Sequence, residues 1–226
     1  NVRVPAMGVP SYQVAQGVRC VPPNALAGLE GGWENYVVVG AGKTGVDACL
    51  FLLENGASPD SICWIKPRDS WLWDRARAQS GDLFEQSIRP FALGQIIAAA
   101  ESESVDDLFD RASAAGLLLR IDDDIRPTMF RCATVTRSEI AQLKRIKNVV
   151  RLGHVKRIDP GRVVLDEGSF ETKDATLYID CTADGLASRP QQAVFDKDRI
   201  TLQSVRTCQQ VFSAAFIAHV EVTEPD

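Results

Sequence analysis

The chain has 226 residues, with 25 Lys plus Arg against 30 Asp plus Glu, a net charge of −5 and 45% hydrophobic residues. The apolar share excludes an intrinsically disordered chain, and the acidic balance argues against a protein that tracks nucleic-acid phosphates. No apolar run reaches the ~18 residues of a membrane-spanning helix, so the expected partners include neither nucleic acid nor membrane.

Residues 1–35 read as a lead-in, punctuated by Pro5, Pro10, Pro22 and Pro23 and closed by the Gly31-Gly32 turn, with Val18 to Val21 as a short strand candidate. Tyr36-Val37-Val38-Val39 is a β-branched run without alternation, the pattern of a parallel strand buried on both faces. Lys43 to Asn55 carries Val46, Cys49, Leu50 and Leu53 at i, i+3, i+4 and i+7, which predicts an amphipathic helix stopped by Asn55-Gly56. Ile62-Cys63-Trp64-Ile65 is a second buried strand, so the three pieces form a βαβ unit.

After Pro67 the pattern changes. Trp71 to Arg77 reads as a loop or short helix, Phe91 to Glu103 and Val105 to Ala115 as helices, and Leu117-Leu118-Leu119 as a third strand. Arg137 to Ile146 is predicted helical, capped by Thr136. From Val149 the period becomes two: Val149–Leu152, Val155–Ile158, Val163–Leu165 and Ala175–Ile179 read as short strands of a β-meander, with turns at Pro160-Gly161 and Glu167-Gly168. The predicted class is α/β, a Rossmann-like three-layer fold with a central parallel sheet plus a small antiparallel meander.

Charge is segregated. Residues 101–124 hold eight acids against Arg111 and Arg120, and residues 125–162 hold ten Lys or Arg against Glu139 and Asp159. Two solvated faces explain such runs, and an anionic ligand or acidic partner domain is the alternative. The six cysteines contain no CxxC pair, and several sit in apolar runs, which points to reduced thiols and a cytoplasmic protein. No His, Cys and carboxylate cluster has metal spacing, so no metal is expected. His154 and His219 are the only histidines, each at a position better suited to structure than to catalysis, and no Tyr-x-x-x-Lys relay occurs; no catalytic set is assigned. Trp64, Trp71 and Trp73 suit core packing, with a place beside a nicotinamide or a neighbouring domain as the alternative.

The chemistry-bearing motif is Gly40-Ala41-Gly42-Lys43-Thr44-Gly45, a G-x-G-x-x-G between the first buried strand and the amphipathic helix. Gly40 permits the tight turn, Gly42 lets backbone approach a pyrophosphate, and Gly45 lets helix pack on strand. The helix N-terminus then offers free N–H groups and a positive dipole end. Gly42-Lys43-Thr44 also matches the end of a P-loop, but its first glycine would fall at Val37, inside the strand, which rejects a triphosphate site. At the end of the second strand, Lys66 and Arg68 favour the 2′-phosphate of NADP, while Asp69 keeps NAD open unless a neighbouring cation pairs with it.

The run Tyr36 to Ala48, followed by Ile62 to Asp69, resembles the pyridine-nucleotide domain of two-dinucleotide-binding flavoproteins, the broad family of flavin-containing monooxygenases and pyridine-nucleotide disulfide reductases. The likeness runs over about residues 36–185 and ends in Ile179-Asp180-Cys181-Thr182-Ala183-Asp184-Gly185. It implies that Cys181-Thr182-Ala183 is the turn beside FAD, with Thr182 and Ala183 at the cofactor and alanine in place of the family's glycine. It further implies an NAD(P)-binding domain over residues 36–182 and a C-terminal segment, 183–226, returning towards a flavin domain. Neither an earlier G-x-G-x-x-G, nor F-x-G-x-x-x-H, nor the disulfide-reductase cysteine pair is present. The resemblance therefore implies an NADP(H) module that meets a small-molecule substrate and FAD only with a flavin domain this chain lacks. The length and the Asn1 start fit a piece of a larger flavoprotein. A stand-alone redox-sensing module and a non-flavin NADP dehydrogenase are the other two functions considered.

Overall fold

Two short strands precede the glycine loop, β1 (Gln13–Val14) and β2 (Cys20–Val21). They are followed by β3 (Asn35–Val39), α1 (Lys43–Glu54), β4 (Ile62–Ile65) and β5 (Ser70–Asp74). Next come α2 (Ile88–Glu101), α3 (Val105–Ala114), β6 (Leu118–Leu119), β7 (Met129–Val135) and α4 (Arg137–Leu143). The chain continues through β8 (Asn148–Val150), β9 (Val155–Asp159), β10 (Arg162–Leu165), β11 (Gly168–Glu171) and β12 (Thr176–Asp180), then β13 (Phe195–Asp196), β14 (Arg199–Ile200) and α5 (Gln210–Thr223). The computed structural model describes residues 9–29, 31–79, 81–183, 190, 192–205 and 209–224. Pro5, the Asp184-Gly185 end of the expected flavin turn, and Cys208 lie outside the described residues. The chain divides into one unit of residues 3–183 and another of residues 184–226 with the first two residues.

The larger unit is mixed α/β, built on a five-stranded sheet of order β2-β12-β3-β4-β8. Every neighbouring pair in it is parallel. The unalternating runs explain this. In β3, Val38 points into one core with Val46, Cys49, Leu50, Trp64 and Ile179, under α1 and α4. Val37 and Val39 point the other way, into a core with Ile65, Tyr178, Ile158, Val163 and Leu165. Alternate residues thus serve opposite faces, and both faces are apolar because both are covered. Full burial of each such side chain contributes roughly 1.5–3 kcal/mol.

The second face is covered by a four-stranded sheet of order β1-β9-β10-β11. Its β9, β10 and β11 run antiparallel, while β1 adds parallel to β9. The expected meander is therefore built differently: Asn148–Val150 and Thr176–Asp180 both join the parallel sheet, and Gly168–Glu171, beyond the expected strands, completes the meander. The lead-in likewise supplies β1 and β2 to two different sheets. On the first face, α4 starts in a capping box, Thr136 Oγ1 accepting from Glu139 N at 3.1 Å and Glu139 Oε2 from Thr136 N at 2.6 Å.

Between β4 and α4 a third sheet departs from expectation. Of the loop or short helix expected over Trp71 to Arg77, only Arg75–Arg77 is helical, a short 3-10 helix; Ser70–Asp74 is a strand. Apolar side chains on both faces of β5, Trp71 and Trp73 towards one core and Leu72 towards another, suit a strand between layers better than a solvated turn. It pairs antiparallel with β6 and parallel with β7, a strand that no local sequence pattern marks. Under α2 and α3, Trp71, Ala98, Ala112, Leu117 and Leu118 form a third core. Trp71 stacks on Phe109 at 6.0 Å, and Trp73 meets the edges of Phe91 at 4.8 Å and Phe130 at 5.2 Å.

The acidic and basic runs are not simply two solvated faces. They pair with one another through Arg126–Asp110, Lys144–Asp123 and Arg151–Asp122. Cys20, Cys49, Cys63 and Cys181 are free thiols, but Cys132 is disulfide-bonded, against the expectation of reduced cysteines throughout. In the smaller unit, β13 and β14 form an antiparallel hairpin, and Ser213 Oγ accepts from Val205 N and donates to Gln209 O ahead of α5. Among the described residues no helix is long and apolar enough to cross a membrane.

Candidate functional site

The glycine loop begins where β3 ends. Gly40 adopts φ +126°, a conformation open to glycine and costly for a side chain, and its N–H donates to Ile65 O at 3.0 Å. A Cβ there would lie 2.9 Å from Cys181 O. The carbonyl of Gly40 accepts from Trp64 Nε1 at 2.8 Å. Trp64 is thus a core residue that also pins the loop, a role the sequence analysis did not assign. A Cβ on Gly45 would lie 2.2 Å from Gly40 O, so only glycine lets α1 sit this close to the turn. Gly42 is the opposite case: its backbone is ordinary, and a Cβ would meet nothing within 4 Å. The loop therefore has two glycines pressed against protein and one facing open space.

Gly42 caps α1 without a side-chain hydrogen bond, and no acid sits in the first turn, so the positive end of the helix is not neutralised from within. Lys43 pairs with Asp47 one turn on. Ala41 and Thr44 are half-buried beside them.

The closing strand β12 brings the other candidate residues to this edge. Cys181 N donates to Val39 O at 2.8 Å, next to Gly40. Thr182 turns back on Asp180, its N and Oγ1 donating to Oδ1 at 3.1 and 2.6 Å, and exposed Ala183 follows. Asp180 is buried. Burial, with Cys20 and Asp180 nearby, holds the Tyr12 phenol protonated far above its ordinary range. Burial, reinforced by Asp180, pushes the Cys181 thiol up to about 12, and burial pushes Cys63 to about 12. These thiols carry no thiolate near neutral pH, so they offer no nucleophile.

The two predicted cations at the end of β4 separate. Lys66 is turned inwards, 2% exposed, with Nζ 2.6 Å from Asp69 Oδ1 and 4.8 Å from the centre of the Trp64 ring. Asp69 also accepts from Arg151 Nε at 2.6 Å, and Arg151 reaches Asp122 at 2.9 Å. Burial lowers the Lys66 pKa against the opposing pull of Asp69. At Asp69 burial acts upwards, yet hydrogen bonds from Arg151 and Lys66 win and hold its carboxyl below the ordinary value. Lys66 is therefore committed to an internal ion pair, and Asp69 to two cations, rather than facing a ribose.

Arg68 remains exposed, without an ion pair among the described residues. On β7, Arg131 is half-buried; burial and the charge of Arg68 lower its pKa, and its buried Nε has no hydrogen-bond partner among the described residues. The buried Ser70 Oγ is equally unpartnered among the described residues. Sequence spacing gave no signal for Arg131, because 63 residues and a bulged β5–β7 pairing bring it near Arg68. The other polar candidates are not gathered here: exposed His154 binds Asp166 through N at 2.7 Å and Nδ1 at 3.2 Å, and His219 lies on α5 in the smaller unit. Among the described residues no three His, Cys, Asp or Glu side chains are grouped to hold a metal.

No protein-family model matches the chain. It is 56% identical over 223 residues to uncharacterized proteins from two strains of Mycobacterium tuberculosis and from Mycobacterium bovis. These alignments cover 99% of this chain but 41% of each relative, so the chain spans about two-fifths of the length of the curated relatives it matches.

Proposed function

We propose that this chain is the NADP(H)-binding portion of an FAD-dependent oxidoreductase, a Rossmann-like three-layer domain that presents nicotinamide to flavin carried elsewhere in a longer cytoplasmic protein. The observation that carries the proposal is the division of labour in the glycine loop: Gly40 and Gly45 are fixed by backbone contacts, while Gly42 alone opens onto free space ahead of an uncapped helix. A pyrophosphate needs that combination, a backbone it can approach and N–H groups aimed at it. Trp64 holds the loop still, and Thr182 with Ala183 forms the turn beside it. The relatives extend well beyond the aligned residues, which leaves chain for a flavin domain. When bound, NADPH supplies a hydride; the protein's part is to bind and orient the dinucleotide.

The preference for NADP rests on Arg68 and Arg131, in place of the Lys66 and Arg68 pair expected from sequence. Two guanidiniums without a carboxylate partner among the described residues, one of them half-buried, are stabilised by an arriving phosphate. Arg68→Ala and Arg131→Ala are each expected to weaken NADPH binding about tenfold or more, the usual size of a lost charge-assisted hydrogen bond, and to leave NADH unchanged. Calorimetric titration with both nucleotides measures this; equal losses for the two would remove the 2′-phosphate assignment.

A further inference from the structure

The segment inserted between β4 and α4 forms an open-sided cavity of about 410 Å³ that shares no lining residue with the glycine loop. Its walls are Trp73, Phe109, Phe130 and Leu118, with Ala98 and Ala112 at its floor. The alanines are decisive: α2 and α3 present methyl groups where larger side chains would have filled the space. Phe130, 41% exposed, and Ile96, 65% exposed, stand at the rim with apolar surface left in water. Among the described residues, Gln95 is the amide that lines the cavity. Gln95 donates from Nε2 to Phe91 O at a long 3.4 Å, and its Oε1 accepts no hydrogen bond among the described residues.

We infer that this cavity is a binding site for an uncharged, apolar small molecule, aromatic or aliphatic, carrying one hydrogen-bond donor for Gln95. The volume falls in the range of ~300–1,000 Å³ typical of ligand pockets. No cation or carboxylate lines the cavity, so a charged ligand would lose its hydration uncompensated. Phe130 meets Trp73 edge to face and Phe109 at a tilt, so the wall is aromatic and a guest ring can add to it in the same edge-to-face geometry. The inference stands on the cavity alone and does not depend on the dinucleotide assignment.

4-Bromobenzyl alcohol is a suitable probe, because its bromine quenches a neighbouring indole. Saturable quenching of the wild-type protein is expected, largely removed by Trp73→Phe while calorimetry still registers binding. Ala99→Phe, filling the cavity from an exposed rim position, is expected to weaken binding at least tenfold with circular dichroism and NADPH affinity unchanged. Ile96→Asp, at a rim position that tolerates charge, serves as a second variant with the same expected loss if Ala99→Phe perturbs folding. Gln95→Met should weaken the alcohol severalfold and leave 4-bromotoluene unaffected, and 4-bromobenzoate should bind at least tenfold more weakly than the alcohol. Quenching that does not saturate, equal binding of the benzoate, or full affinity in both rim variants would overturn the assignment. NADPH titration of the same samples reports separately on the glycine loop.

Discussion

Asp69→Ala is expected to lower the unfolding free energy by about 3–5 kcal/mol, the usual cost of removing one partner from a buried ion pair. Lys66 would be left 2% exposed with its closest anion gone, and Arg151 would lose the contact that ties β8 to the end of β4. Urea unfolding followed by tryptophan fluorescence measures the loss. Adding Lys66→Met should restore part of it, because the cost lies in the unpaired charge rather than in the space. A pH series supplies an independent check. The Asp69 carboxyl titrates below its ordinary value in the folded state, so its contribution is complete above about pH 4, its unfolded pKa, and is lost as pH falls through the folded value. The wild-type urea midpoint should therefore drop more steeply below pH ~4 than that of Asp69→Ala. A loss under about 1 kcal/mol, or parallel acid profiles, would mean the pair is not buried in solution.

Gly45→Ala pits two effects against each other. Helix propensity alone favours alanine over glycine by about 1 kcal/mol. Against this, the added methyl would stand 2.2 Å from the Gly40 carbonyl oxygen, a backbone atom already held at 2.8 Å by Trp64 Nε1. Backbone cannot rotate away as a flexible side chain does, so either α1 lifts from β3 or the loop shifts and the Trp64 bond breaks. Overpacking of this kind costs roughly 1–3 kcal/mol or more, and it outweighs propensity. A net loss of at least about 1 kcal/mol is expected, together with weakened NADPH binding. A gain in stability would show that the loop is looser than the contacts indicate.

How much of this was legible in the sequence follows from how local each signal is. The strands Asn35–Val39 and Ile62–Ile65 and the helix between them were readable because burial on both faces leaves an unbroken apolar run, and a one-sided helix leaves a 3.6-residue period. The cap at Thr136 was readable because a capping box is contained in four residues. Strand β5 was not, because its tryptophans serve a third sheet whose partner β7 lies more than 50 residues on, and β7 itself carries Arg131 and Cys132 in a bulge that breaks alternation. The fate of Lys66 was hidden for the same reason. Sequence put it near Asp69, but only the arrival of Arg151 from β8 turns the pair into a buried network and leaves Arg68 as the outward cation. Trp64 looked like core and is core; its bond to Gly40 depends on the register of β4 against β3, which no local pattern encodes.

The most direct measurement is calorimetric titration of NADPH into the wild-type protein and into Gly42→Leu. Leucine at this position strains no backbone and meets no protein atom within 4 Å at its Cβ, so the fold should survive with an unchanged urea midpoint. Its side chain would occupy the space in which a pyrophosphate approaches the loop. Saturable one-to-one binding in the wild type, reduced at least a hundredfold in the folded variant, is the expected result. Absence of binding in the wild type, or equal affinity in both proteins, would contradict the assignment of the Gly40–Gly45 loop to a dinucleotide.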